Sequence, residues 1–176
     1  MSAAVGQPAP GAQLPDTDGA THSLGPQDAA PATVIVFTCN HCPYALAWHE
    51  RLVDAARDYA DRGVRFLMVN SNDAERYPRD SYAAMQARVA EEDWPFPYLH
   101  DESQQVARDF GAQTTPDVFV LDQAGTLRYR GAPDADHSDP GLRAAWLREA
   151  LDDLLAGREV ARPQTEPVGC SVKWRP

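Results

Sequence analysis

The chain has 176 residues, enough for one domain with a sizeable core and short for two. Its composition is that of a globular protein, 43% hydrophobic and 24% charged. A net charge of −10 and a pI of about 4.8 argue against a nucleic-acid or anionic-membrane partner, because either needs a basic surface and the Lys and Arg here are scattered.

The opening "MSAAVGQPAPGAQLPDTDGA" has neither the basic nor the apolar region of a secretory signal. No stretch approaches the roughly 18 apolar residues of a membrane span. The expectation is a cytoplasmic protein, and in a reducing compartment a close cysteine pair is catalytic or metal-binding more often than a structural disulfide.

In chain order, residues 6–32 carry turn chemistry, with Asp18-Gly19 predicting a hairpin. "TVIVFT" (33–38) is an unbroken, β-branched apolar run, as expected of a strand buried on both faces. A helix follows from Pro43 to Arg62, with Leu46, Val53, Ala56 and Ala60 on its apolar face and Gly63 as its stop. "VRFLMVN" (64–70) is a second buried strand, so the two form a parallel βαβ unit. A helix over 80–92, the proline-rich joint "WPFPYL" and a short helix ending at Gly111 come next. Beyond "TTP" (114–116), "DVFVLD" and "LRYRG" predict an antiparallel hairpin, and a last helix spans Pro140 to Ala156. The pattern predicts an α/β fold: a mixed central sheet with helices on both faces. Residues 1–32 form an N-terminal hairpin extension, 33–157 the main domain and 158–176 a tail packed on it.

"FTCNHCPYA" carries the chemistry. Cys39 follows the end of a buried strand and opens a helix, the edge at which reactive groups in α/β sheets collect. Unpaired N–H groups and the helix dipole stabilise a thiolate there and lower a thiol pKa from about 8.5. Cys39 is thus expected to be the exposed, acidic nucleophile and Cys42, one turn on, the resolving thiol. His41 is expected to stabilise the thiolate further, and Pro43 suits a first helical turn. Two buried thiols acting as small hydrophobes are a poor account of a pair flanked by Asn40 and His41. A zinc ribbon needs a second cysteine pair, and only Cys170 remains, but two thiols and a histidine suit a soft metal such as Cu(I).

The opening "GQPAPGAQLPDTDGATHSL", "FTCNHCPYA", "VNSNDAERYPRDS", "FPYLHDESQQVARDFGAQTTPDVFVLD", "LRYRG" and "VGCSVKW" resemble the thioredoxin-fold superfamily. The branch is that of TlpA-like thiol–disulfide proteins and the AhpC/TSA redoxins. The resemblance spans nearly the whole chain and implies a thioredoxin-like three-layer fold. It implies a thiol–disulfide oxidoreductase that reduces or exchanges disulfides with Cys39, Cys42 and His41 as catalytic residues. No cofactor or metal is required; the dithiol is the redox centre. The substrate would be a protein or small-thiol disulfide, with a cellular dithiol as reductant and neither nucleic acid nor membrane as partner. In the family the proline of "TTP" is cis and faces the cysteines, which assigns Thr115 and Pro116 to the substrate side, with Asn40 and Pro43 beside the pair.

Two departures stand out. Thioredoxins keep an acidic residue in the strand before the cysteines; "TVIVF" has none, which leaves Asp73 or Glu50 as candidate proton acceptors. Peroxiredoxins carry Pro-x-x-x-Thr/Ser-x-x-Cys, whereas Thr38 directly precedes Cys39 here, so a thiol peroxidase is the alternative and a non-catalytic copper- or zinc-binding module a third reading. Cys170 leaves two readings open: a third redox cysteine, or a thiol packed with Trp174 to anchor the tail. His49 reads as a surface histidine and His137 as a solvated loop residue.

Overall fold

A computed structural model describes residues 3–26 and 30–176. Residues 1–2 and 27–29 of the expected N-terminal extension lie outside the described residues.

The extension forms a hairpin of β1 (Gln13–Pro15) and β2 (Thr21–Ser23). Asp16 Oδ1 accepts from the amides of Asp18 and Ala20 across its turn. The central sheet has the order β5-β4-β3-β7-β8. Its strands are β3 (Ala32–Phe37), β4 (Arg65–Asn70), β5 (Tyr98–His100), β7 (Asp117–Asp122) and β8 (Leu127–Gly131). β3 runs parallel to β4, and β4 to β5, while β7 is antiparallel to both β3 and β8. The sheet is therefore mixed, as the sequence predicts. β5 was not foreseen, because two prolines and three residues of strand hide it in "WPFPYL".

Every residue of β3 is buried, and its side chains alternate between two cores. Val34 and Val36 pack with α1 (Pro43–Ala60), α2 (Tyr82–Glu91) and α4 (Ala145–Leu155), whereas Ile35 and Phe37 pack with α3 (Gln105–Phe110) and Leu14 of β1. Period-2 alternation thus makes one strand the floor of both layers, each large side chain contributing about 1.5–3 kcal/mol on burial.

α1 begins at Pro43, with Cys42 as its N-cap. Its buried face is Ala45, Trp48, His49, Leu52, Val53, Ala55, Ala56 and Tyr59; Leu46, expected there, is 45% exposed. Arg51 on α1 pairs with buried Asp134 and donates to the carbonyls of Asp136, His137 and Asp139. This clamps the loop before α4, so that helix begins at Ala145, later than the expected Pro140. His137 accordingly packs on Tyr44, ring centroids 4.1 Å apart, instead of extending into solvent.

The tail returns to the domain in two steps. Thr165 N donates to the Arg130 carbonyl of β8. Further on, β9 (Cys170–Ser171) pairs antiparallel with β6 (Thr114–Thr115), placing Cys170 opposite Thr115. Gly169 makes this approach feasible: a Cβ there would stand 2.2 Å from the Thr115 carbonyl oxygen. Trp174 packs in the α3-side core under the Arg108 guanidinium, apart from Cys170, so the expected Cys170–Trp174 anchor is not formed.

His49 is 6% exposed and packs against Trp94 at 4.7 Å, not on the surface as the sequence suggests. Burial, with the Arg88 charge assisting, pulls its pKa down to about 4. The folded pKa lies below the unfolded value near 6.5, so unfolding takes up a proton between the two. Stability is full above about pH 6.5 and falls by about 3 kcal/mol as pH drops to about 4. Denaturant titrations over pH 4–7 should show a shallower slope for His49→Gln than for the parent. An identical slope would remove this assignment.

Candidate functional site

The C-terminal end of β3 delivers Cys39, and the N-cap of α1 is Cys42. Cys39 Sγ lies 3.5 Å from Thr115 Oγ1 and Cys42 Sγ 3.1 Å from the Thr115 carbonyl oxygen. Thr115 and Pro116 are joined by a cis peptide bond, so the sequence-predicted pair, Cys39 and Cys42, and Thr115-Pro116 come together across 73 residues or more of chain. Pro43 is exposed beside them.

The third thiol arrives with β9. Cys170 packs against the cluster of Cys39, Cys42 and Ala45, as does Tyr44. Cys39 and Cys42 are each 1% exposed, while Cys170 is only half-buried. The exposed nucleophile expected at Cys39 is thus covered.

The sulfurs titrate together. The hydrogen bond with Cys39 pulls Cys42 down to about 4, against burial and with help from Cys170, Thr115 and the Ala45 amide. The same bond raises Cys39 far above its ordinary range, and burial and the Asp80 charge add to this. The expectation of an acidic Cys39 rests on the helix N-terminus acting at that sulfur. The helix opens at Pro43, as expected, but its N-cap is Cys42, so the N-terminal amides favour charge on Cys42 instead. The Thr115 carbonyl opposes a Cys42 thiolate, yet it also gives a protonated Cys42 an acceptor. The proton can therefore rest on either sulfur. Cys170 is pushed up to about 11, by burial and then by its contact with the Cys42 charge.

Asp80 is the acidic group the sequence did not single out. It is fully buried, and its carboxylate accepts from Asn40 N at 2.7 Å and from Asn72 Nδ2 at 2.9 Å. His41 Nδ1 stands 2.7 Å from Asp80 Oδ2, too poorly aligned for a directed hydrogen bond. His41 also stacks on Tyr77. The candidates from sequence lie elsewhere: Glu50 is exposed on α1, and Asp73 bonds the Glu75 amide. Asp80 follows "NSND" by seven residues, and only the fold of the 70–80 loop turns it toward the cysteines.

The Asn40 side chain is spent within the protein. Its Oδ1 accepts from Tyr98 OH at 2.8 Å and its Nδ2 donates to the Arg79 carbonyl. It therefore shapes the cysteine loop, leaving little side-chain capacity for the substrate contact expected of it.

A soft metal ion would find three donors here: Cys39 Sγ, a His41 nitrogen and an Asp80 oxygen lie within 4.8 Å of one another. A cleft of about 680 Å³, lined by Pro31 and Leu154 among others, lies at the opposite end of β3. Among the described residues, no helix is long and apolar enough to cross a membrane.

Comparison with known proteins agrees with this architecture. An uncharacterized conserved protein from Geobacillus kaustophilus is 42% identical, with a TM-score of 0.92 over 98% of this chain and 93% of that one. A hypothetical protein from Sinorhizobium meliloti is 36% identical, with a TM-score of 0.91 over 99% of this chain and 97% of its own. At 20% identity and a TM-score of 0.67, a Chlorobium tepidum protein described as the thiol:disulfide interchange protein DsbE shares the fold over 89% of this chain and 98% of its own. No curated protein matches the sequence. The thioredoxin-like fold follows from these likenesses, and since the AhpC/TSA family profile matches residues 5–130, the chain belongs to the AhpC/TSA family.

Proposed function

We propose that the protein is a thiol–disulfide oxidoreductase whose redox centre is the Cys39–Cys42 dithiol. The observation that carries this reading is the sulfur pair itself, packed together at a helix N-cap, both sulfurs against Thr115 of the cis Thr115-Pro116 unit. Family membership supports the coarser assignment, a thiol-based oxidoreductase acting on disulfides.

In the proposed cycle the proton moves from Cys39 to Cys42, which then donates to the Thr115 carbonyl. The Cys39 thiolate attacks one sulfur of a protein or small-molecule disulfide and expels the other as thiolate. Cys42 passes its proton to that leaving group and attacks Cys39 Sγ, forming Cys39–Cys42 and releasing the second substrate sulfur as a thiolate that takes its proton from water. His41 offsets the Asp80 charge that otherwise opposes the Cys39 thiolate. Thr115 and Pro116 line the approach, and a cellular dithiol returns the pair to the reduced state.

The trapping experiment is Cys42→Ser, expected to hold a client disulfide-linked to Cys39, with Cys39→Ser holding none. Insulin reduction should vanish in both variants. Turnover retained by Cys39→Ser would overturn the reading.

His41 and Asp80 should move the pair in opposite directions. His41→Ala leaves the carboxylate uncompensated, so thiolate formation shifts to higher pH and the disulfide becomes harder to reduce. Asp80→Asn should do the reverse, each pKa unit corresponding to about 30 mV in this two-electron couple. Alkylation rates against pH and a glutathione redox titration check both; shifts of the same sign would dismiss the electrostatic account.

The family also favours a second reading, a thiol peroxidase. Since Thr38 abuts Cys39 and the peroxidatic spacing is missing, hydrogen peroxide should oxidise the reduced protein only slowly. Rapid peroxide turnover abolished by Cys39→Ser would establish the peroxidase in its place. Stoichiometric copper or zinc retained through purification would favour the metal-binding alternative.

A further inference from the structure

We infer that Cys170 is a third redox cysteine, through which the buried Cys39–Cys42 disulfide is carried to the surface for re-reduction. The inference rests on the oxidoreductase reading above and concerns how that site is recycled.

Three observations carry it. First, the exposures differ in kind: Cys39 and Cys42 are each 1% exposed, whereas Cys170, packed against them, is half-buried and has the solvent access they lack. An external thiol meets Cys170 before it meets the pair.

Second, the tail holds Cys170 in place from both sides. Upstream, Thr165 N donates to the Arg130 carbonyl, and Tyr129 OH lies 2.8 Å from Thr165 Oγ1. Downstream, Val172 N donates to the Gln113 carbonyl and Lys173 N to Asn72 Oδ1, while Gln104 Nε2 donates to the Lys173 carbonyl. Gln104 does this from a left-handed backbone, φ 67°. Between these anchors β9 sets Cys170 opposite Thr115, whose carbonyl oxygen contacts Cys42 Sγ, and only a side chain as small as that of Gly169 allows the approach.

Third, the charges suit exchange through Cys42. In the reduced protein the Cys42 thiolate holds the proton on Cys170. Forming Cys39–Cys42 removes that charge, and Cys170 is then easier to ionise.

The steps balance without an added oxidant. The Cys170 thiolate attacks Cys42 Sγ of the Cys39–Cys42 disulfide; the 39–42 bond breaks, the 42–170 bond forms, and Cys39 leaves as thiolate and takes up the Cys170 proton. An external thiolate then attacks the half-buried Cys170 and expels Cys42, whose charge the helix N-terminus and the neighbouring thiol stabilise. A second external thiol attacks the outer sulfur of that mixed disulfide and frees Cys170. Two external thiols become one disulfide; the protein gains two electrons and one proton, Cys42 remaining a thiolate, and the other proton goes to solvent.

The test uses the full chain. Wild-type protein oxidised with one equivalent of diamide, quenched in acid, alkylated and digested without reductant should yield both Cys39–Cys42 and Cys42–Cys170 peptides. Cys39→Ser should yield intramolecular Cys42–Cys170 stoichiometrically. Oxidised Cys170→Ser should be reduced by glutathione at least about tenfold more slowly than wild type, since direct attack on a buried disulfide is all that remains. Absence of the 42–170 link from both wild type and Cys39→Ser, or an unchanged reduction rate in Cys170→Ser, overturns the inference. If Cys39–Cys42 forms and turns over in either case, the oxidoreductase reading stands by itself; if wild type forms no Cys39–Cys42 link, that reading is what has failed.

Discussion

The Asp80 carboxylate, fully buried, is the constraint around which the site is arranged. A carboxylate withdrawn from water must be hydrogen-bonded, and this one is, on both oxygens. It accepts from the Asn40 amide in the cysteine loop and from Asn72 at the end of β4, and His41 lies beside it. One side chain thereby binds two strand ends and fixes the loop that presents Cys39. Asn40 extends the network to Tyr98 and Arg88, so β5 and α2 are included.

The same carboxylate sets the electrostatics. Its charge disfavours a thiolate on Cys39, while the helix opening at Pro43 favours one on Cys42. The resting charge and the proposed point of attack therefore fall on different sulfurs, and the direct packing of one on the other reconciles the two. Proton transfer across one contact costs far less than separating charge in a buried site, and the Thr115 carbonyl accepts the proton's new bearer. The thioredoxin-like sheet supplies the geometry, and the acidic group comes from a loop outside the strand that precedes the cysteines.

The tail gives the site its other distinctive property. β9 occupies the pairing edge of β6 and brings a third sulfur to the pair, so the cysteine cluster is both covered and linked to solvent. The cover is specific: a glycine at the closest approach, hydrogen bonds on both sides, and Val172 buried just beyond Cys170. A dithiol sealed in this way exchanges with the outside only by movement of the tail or through the thiol the tail carries.

What the sequence determined by itself is local. The apolar runs in 33–38, rich in β-branched residues, and 66–69 are strands because short unbroken apolar stretches suit a sheet covered on both faces, and the Cys-x-x-Cys spacing places two thiols one turn apart. Most helices and the β7–β8 hairpin were legible from period and turn chemistry for the same reason. The start of α1 at Pro43 was legible too, but not which sulfur its N-terminus favours: the N-cap is Cys42, so the favoured charge falls on the second cysteine and not the first. Short strands such as β5, β6 and β9 carry too few residues for any period, and they exist through pairing alone. Asp80, Cys170 and His49 were misjudged or left open because their meaning lies in contacts between distant segments. A carboxylate 40 residues from Asn40 and a thiol 55 residues from Thr115 become parts of one site only when the sheet and its tail have closed, since packing, not spacing, decides which charge meets which sulfur.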